Sequence, residues 1–224
     1  MKTSERGNGP LRELQLLVAR IGINVSFIHP EKTAFKYIIR IRKETEMVLT
    51  LNEAAQIFNA VINTIKIPGD IAEVGVYRGG SSKLICEAKG NRPLHLFDTF
   101  EGLPDSSVND SQRFHKNQYL SSLEYIQGLL KGFPNIYFYK GLFPTTAGPV
   151  SQKKFSFVHL DVDLYESTKN SLEFFYPRMS KGGVIISHDY LGSKGVKAAF
   201  DKFFDDKPEP VIEVTDSQCL VVKC

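Results

Sequence analysis

Two aspartates, Asp161 and Asp163, stand two residues apart at the end of an apolar run, Phe155-Ser156-Phe157-Val158-His159-Leu160. A second apolar run, 184–187, ends in His188-Asp189-Tyr190. As parallel strands of one sheet, the two runs would open their carboxyl ends onto one crevice, where Asp161, His188 and Asp189 converge. Carboxylates gathered this way repel one another unless a proton or a cation intervenes. A divalent metal is the simplest resolution. Carboxylates and waters suit Mg²⁺, and an imidazole from His188 shifts the preference toward Mn²⁺ or another transition metal. The plainer alternative has Asp163 capping the next helix and His188 hydrogen-bonded in the core. The Ser167-Thr168 pair is also a natural cap for that helix.

A second cluster lies upstream. The segment Ala72-Glu73-Val74-Gly75-Val76-Tyr77-Arg78-Gly79-Gly80-Ser81-Ser82 runs from a strand through a glycine turn into a helix, a shape that offers backbone N–H groups to a ligand. A dinucleotide fingerprint needs glycine at the second position of its motif so that the backbone can approach a pyrophosphate, and here that position is Tyr77. Glu73, placed just before the turn, would repel a phosphate and favour an ammonium or sulfonium group. S-adenosylmethionine carries both. Asp98, at the end of the next apolar run, is suited to accept hydrogen bonds from ribose hydroxyls. Read singly, these glycines fit a plain tight turn and Asp98 fits a cap; their strand-turn-helix-strand order favours a nucleoside.

The elements that must position these groups change character near Pro68. Before it, 34–47 and 52–66 carry apolar residues at three- and four-residue steps and are expected to be helices. After it, short apolar runs alternate with helical segments, the pattern of βαβ units. Strands are expected at 71–76, 94–97, 136–139, 155–160 and 184–187, and helices at 81–88, 121–131, 168–179 and 195–205. The last two runs, 210–214 and 219–222, are too close for a helical crossover and should form an antiparallel hairpin. The expected fold is α/β, a doubly wound, mostly parallel seven-stranded sheet, with residues 1–66 as an N-terminal helical cap and 67–224 as the ligand-binding domain. The long polar stretch 99–118 falls beyond a strand's carboxyl end, where ligands bind. His95 and His159 lie inside strand patterns and are expected to be structural, and Cys86 to be core.

Composition narrows the function. Apolar residues at 42% and charged residues at 24% of 224 exclude a disordered or low-complexity chain. The net charge of +3, from 28 basic and 25 acidic residues, gives no footprint for nucleic acid. The apolar stretch 14–28 is interrupted by Gln15, Arg20 and Asn24, so no membrane span is expected. Three cysteines without metal-site spacing point to a reducing compartment, the cytoplasm.

Four motifs together resemble the macrocin O-methyltransferase family: Glu73 to Ser82 (EVGVYRGGSS), Phe97 to Pro104 (FDTFEGLP), Asp161 to Thr168 (DVDLYEST) and Gly182 to Tyr190 (GGVIISHDY). The similarity spans about residues 68–190. It implies a Rossmann-like methyltransferase that uses S-adenosylmethionine and Mg²⁺ to methylate a hydroxyl of a small-molecule acceptor, such as a sugar of a natural product. By that resemblance Glu73, Gly75, Gly79, Ser81 and Asp98 surround the methyl donor, with Gly141, Leu142 and Phe143 near the adenine. Tyr77, Ser82 and Thr99 flank these positions and join them as candidate contacts. Asp161, His188 and Asp189 are implied as metal ligands; the family carries an acidic residue where His188 stands here. Asp161 or Asp163 is the expected proton acceptor, with His115 on the long loop as a further candidate. The family's N-terminal region forms a helical lid, which Phe27, His29, Phe35 and Tyr37 would line unless they are core residues of a helical cap, the commoner fate of any one of them, and the amphipathic stretch 11–27 suits packing against a second subunit or on its own domain. Two rivals remain at this stage: a nicotinamide-dependent oxidoreductase, and a non-catalytic nucleoside-binding protein.

Overall fold

A computed structural model describes residues 32–224. Among these residues the chain forms six α-helices and seven strands. Helices α1 (Lys32–Glu44) and α2 (Leu51–Asn63) come first, then β1 (Asp70–Val74), α3 (Gly80–Lys89), β2 (Leu94–Asp98), α4 (Leu123–Leu129) and β3 (Ile136–Lys140). They are followed by β4 (Phe155–Leu160), α5 (Tyr165–Phe175), β5 (Met179–Ser187), α6 (Lys194–Phe204), β6 (Ile212–Glu213) and β7 (Cys219–Val222). The sheet order is β3-β2-β1-β4-β5-β7-β6, with the first five strands parallel and β7 antiparallel to both its neighbours.

The order reverses between β1 and β4, so the loops that leave these two strands part to opposite sides and open a crevice. Apolar alternation explains why helices cover both faces. On one face Ile71, Leu94, Leu96, Phe157 and Ile186 meet Ile38, Ile41, Ile57, Phe58, Leu84 and Ile85 of α1, α2 and α3. On the other, Ala72, Val74, Phe97, Val158 and Leu160 meet Leu172, Phe175, Val196 and Phe200 of α5 and α6. All six residues of β4 are buried, as a central parallel strand covered on both faces requires.

Several boundaries differ from the sequence expectation. Strand β1 ends at Val74, because Gly75 turns away at φ +88°. Strand β5 starts at Met179, where the expected start was 184; its polar residues Ser180 and Lys181 and two glycines mask it in the pattern. Helix α5 begins at Tyr165, ahead of the expected cap at Ser167-Thr168. Its first turn is capped from a distance instead: Asp110 Oδ1 on the long loop accepts a 2.7 Å hydrogen bond from Tyr165 N. Neither Asp163 nor the Ser/Thr pair caps this helix, and its N-cap position is Leu164. The hairpin of β6 and β7 forms as expected, with a shorter β6.

Phe27, His29 and the stretch 11–27 lie outside the described residues. Tyr37 packs against Phe58 with ring centroids 5.7 Å apart, and Phe35 is exposed on α1.

Candidate functional site

A cavity opens at the carboxyl ends of β1, β2, β4 and β5, with the glycine turn on one wall and the acidic cluster on the other. The strands' ends are tied together by backbone hydrogen bonds: Gly75 N to Phe97 O, Asp161 N to Val74 O and His188 N to Leu160 O, each 2.9 Å. These bonds fix the turn and both acidic strand ends in one frame.

Of the residues expected around a nucleoside, Gly75, Tyr77, Ser81, Asp98, Thr99, Gly141 and Phe143 line the cavity. A side chain at Gly75 would put its Cβ 1.8 Å from Asp161 O, so the two walls approach closely enough there to require glycine. Asp98 binds the turn itself. Its Oδ2 accepts from Val76 N at 2.6 Å and Tyr77 N at 3.0 Å, and its Oδ1 accepts from Phe100 N at 2.7 Å. Thr99 Oγ1 also lies 3.4 Å from Oδ1, but its one hydrogen goes to Gly102 O at 2.6 Å, so a carboxylate with about four acceptor sites keeps capacity for a ligand hydroxyl.

Three expected contacts lie elsewhere. Glu73 is fully buried; its Oε1 is 2.8 Å from His159 Nδ1 and its Oε2 accepts from Ser82 Oγ. Its side chain follows the alternation of β1 into the sheet, and its strand partner on β4 is His159. Glu73 and Ser82 therefore hold each other and do not line the cavity. Gly79 is the left-handed N-cap of α3, facing Leu129 and Ile126. His115 is exposed on the long loop, with Nδ1 3.3 Å from Lys116 O, and does not reach the site. His95 is buried between Asp70 Oδ2, at 2.9 Å, and Tyr139 OH, at 3.0 Å.

The acidic wall gathers Asp161, Asp163, His188 and Asp189. Asp163 and Asp189 both adopt left-handed backbone, with φ +60° and +59°, a strain that short polar side chains tolerate and that concentrates at working sites. His188 Nδ1 lies 3.2 Å from Asp161 Oδ1 and 3.0 Å from Asp189 Oδ2, and Nε2 lies 3.3 Å from Glu53 Oε2. Burial opposes charge on His188, but the adjacent Asp161 charge and hydrogen bonds to Asp161, Asp189 and Glu53 prevail, raising its pKa far above the ordinary value. Burial likewise opposes ionisation of Asp161, and the His188 charge overcomes it, so Asp161 sits below the usual carboxylate range. Asp163 moves the other way. Its burial and the nearby Asp161 and Asp189 charges hold its carboxyl well above that range.

The donor set fits a divalent cation. Asp161, His188 and Asp189 each offer one ligand atom, all within 4.8 Å of one another. Glu53 satisfies Nε2 of His188, which leaves Nδ1 on the side of the two carboxylates. Two carboxylates with one imidazole suit a transition metal better than Mg²⁺.

Sequence reasoning missed two parts of this site. The segment from Glu46 to Leu49, between α1 and α2, forms a wall of the cavity, where Tyr77 OH donates to Glu46 Oε2 at 3.1 Å. The second part is Glu53, which forms a capping box with Thr50, a local role that accounts for it without its contact to His188. From the long loop, Gly102, Leu103, Pro104 and Tyr119 reach the cavity.

Residues 49–222 match the family model described as Macrocin-O-methyltransferase. The chain is 33% identical over 140 residues to the 8-demethyl-8-(2,3-dimethoxy-alpha-L-rhamnosyl)-tetracenomycin-C 4'-O-methyltransferase of Streptomyces olivaceus, covering 55% of this chain and 54% of that protein. It is 30% identical over 144 residues to the Mycinamicin III 3''-O-methyltransferase of Micromonospora griseorubida, covering 55% and 56%. The chain thus spans about half the length of the curated relatives it matches. Among solved structures, the O-methyltransferase NovP superposes with a TM-score of 0.63 at 25% identity, over 84% of this chain and 79% of that one. The calicheamicin methyltransferase CalS11 superposes with a TM-score of 0.65 at 19% identity over 99% of each chain, a likeness of fold. Among the described residues no helix is long and apolar enough to cross a membrane.

Proposed function

The chain belongs to the macrocin O-methyltransferase family, and from that premise we propose that it transfers a methyl group from S-adenosylmethionine to a hydroxyl oxygen of a small-molecule acceptor, a sugar of a glycosylated natural product. The observation that carries this reading is one cavity shared by the Gly75–Gly80 turn and the Asp161, Asp163 and Asp189 carboxylates. The relatives' printed activities, 4'-O-methylation of a rhamnosyl tetracenomycin and 3''-O-methylation of mycinamicin III, support the acceptor class.

In the reaction the sulfonium S–CH₃ bond breaks, an O–CH₃ bond forms, and the hydroxyl proton must be taken up. The two aspartates at the end of β4 divide the work through their environments. Asp161, held ionised by His188, keeps a fixed negative charge at the wall of the cavity. Asp163, raised by burial and by its charged neighbours, is the better proton acceptor, since its affinity for a proton is closer to the neutral range. Asp98, tied to the turn by the amides of Val76 and Tyr77, orients the nucleoside end, and the β1–β4 junction fixes the line of approach between donor and acceptor. A divalent ion held by Asp161, His188 and Asp189 supplies Lewis-acid polarisation of the acceptor oxygens when bound.

The rival nicotinamide reading is disfavoured by Tyr77, which fills the position where a pyrophosphate needs glycine and whose ring stands edge-on to Tyr119 at 5.4 Å. Free thiols at Cys86, Cys219 and Cys224 fit a reducing compartment, the cytoplasm. The test is a panel of glycosides and their amino-sugar counterparts, incubated with the protein and S-adenosylmethionine and read by mass spectrometry. Oxygen methylation with equal release of S-adenosylhomocysteine is expected; methylation of nitrogen alone would overturn the oxygen assignment.

A further inference from the structure

Glu53 stands behind the acidic wall, on α2, and is 2% exposed. Its Oε1 accepts from Ser217 N at 3.0 Å and Ser217 Oγ at 2.6 Å, and its Oε2 accepts from Thr50 N at 2.8 Å. The same Oε2 faces His188 Nε2 at 3.3 Å. Three protein donors and one imidazole nitrogen therefore converge on a buried group that only accepts. An acceptor in that position requires a hydrogen on Nε2. The other ring nitrogen, Nδ1, faces Asp161 Oδ1 and Asp189 Oδ2, which also only accept, so without a metal it carries a hydrogen too, and a cation seated between these carboxylates would take that hydrogen's place.

We propose that Glu53 is a positioning residue for metal binding: it holds the hydrogen on Nε2 of His188, so that Nδ1 is the nitrogen that would exchange its hydrogen for a cation beside Asp161 and Asp189, and so selects an imidazole-binding divalent transition metal over Mg²⁺. This rests on the metal reading given under the proposed function. The Glu53–His188 contact would be the outer half of a carboxylate–histidine–metal relay, in which the outer carboxylate sets ring orientation and tautomer. Thr50 and the helix cap account for one of the donors that Glu53 accepts from; Ser217 and His188 lie outside the cap and have no part in it. A glutamine at position 53 would turn an NH₂ toward at least one of these donors, so the shape-conserving variant is the informative one.

The test measures binding of Mn²⁺, Co²⁺ and Mg²⁺ separately to the full chain by calorimetry, for the wild type, Glu53→Gln, Thr50→Ala and His188→Asp. The wild type should bind Mn²⁺ and Co²⁺ at least tenfold more tightly than Mg²⁺, and His188→Asp should shrink that preference. Glu53→Gln should lose roughly 10- to 100-fold in Mn²⁺ affinity. Thr50→Ala, which removes the cap's hydroxyl and keeps the carboxylate, should bind Mn²⁺ as the wild type does. Equal Mn²⁺ affinity in Glu53→Gln and wild type would overturn the role of Glu53 and leave the metal reading standing. No divalent binding by the wild type would overturn both. A variant-free check is the ¹⁵N spectrum of histidine-labelled protein with Zn²⁺, where His188 should show a protonated Nε2 and a metal-bound Nδ1. Metal on Nε2 would refute the proposal.

Discussion

Replacing Gly75 by alanine probes the junction on which the whole site depends. At φ +88° an L side chain costs about 1–2 kcal/mol. The new Cβ would also lie 1.8 Å from Asp161 O and 2.7 Å from Asp161 C, backbone atoms that have no rotamer to escape into. Forcing such an overlap apart costs about 1–3 kcal/mol more. The total, about 2–5 kcal/mol, corresponds in a chain of this size to a fall in Tm of roughly 5–20 °C. Gly132→Ala is the matched control: φ is +101° and nothing lies within 4 Å of its Cβ, so it carries the conformational cost alone. Thermal and urea unfolding of both variants separate the two terms. Because the atoms displaced by the added methyl group belong to Asp161, S-adenosylhomocysteine affinity should also fall in Gly75→Ala, by tenfold or more, and stay unchanged in Gly132→Ala. Equal destabilisation of the two variants would refute the close approach of β1 and β4 at this point.

Asp163→Asn should lower kcat by about 10²–10⁴ while S-adenosylhomocysteine affinity stays within a few-fold. Because the Asp163 carboxyl is raised above the usual carboxylate range and must be ionised to accept a proton, wild-type activity should fall on acidification with a midpoint above that range. Initial rates against pH check this, and persistence of that limb in Asp163→Asn would assign the base elsewhere. Asp110→Ala removes the hydrogen bonds to Tyr165 N and to Ser107 N and Oγ and should cost about 1–2 kcal/mol in urea unfolding; no loss would mean that the loop does not brace α5. Burial opposes the charge on Glu209, but Lys223, Tyr176 and Cys224 N overcome it and lower its pKa from 4.5 to about 2. Ionised Glu209 therefore contributes at most about 3 kcal/mol above pH 4.5, lost as pH falls toward 2. Stability curves should show a shallower acid decline in Glu209→Gln, and an unchanged decline would contradict the pairing of buried Glu209 with Lys223.

The parallel core was legible because its strands are short, apolar and punctuated by glycine and by helical periods; Phe155–Leu160 is buried at every position. The acidic wall was legible for the same reason, since parallel strands bring their carboxyl ends to one edge. Glu73 was misplaced because nearness to the turn along the chain differs from exposure to the ligand. Its partner His159 becomes visible only once β1 is known to lie beside β4, and that adjacency is topological. The cap of α5 was missed for a related reason: Asp110 is 55 residues from Tyr165, and only the folded loop joins them. Likewise, no local pattern ties Glu53 to His188 and Ser217. Polar pairs across long sequence separations are set by strand order and loop path, which apolar periodicity leaves open.

The most direct test of methyl transfer is calorimetric titration of the protein with S-adenosylhomocysteine, beside NADH under the same conditions. The proposed function predicts micromolar binding of S-adenosylhomocysteine, about −8 kcal/mol, and none of NADH. Binding of NADH without binding of S-adenosylhomocysteine would contradict it.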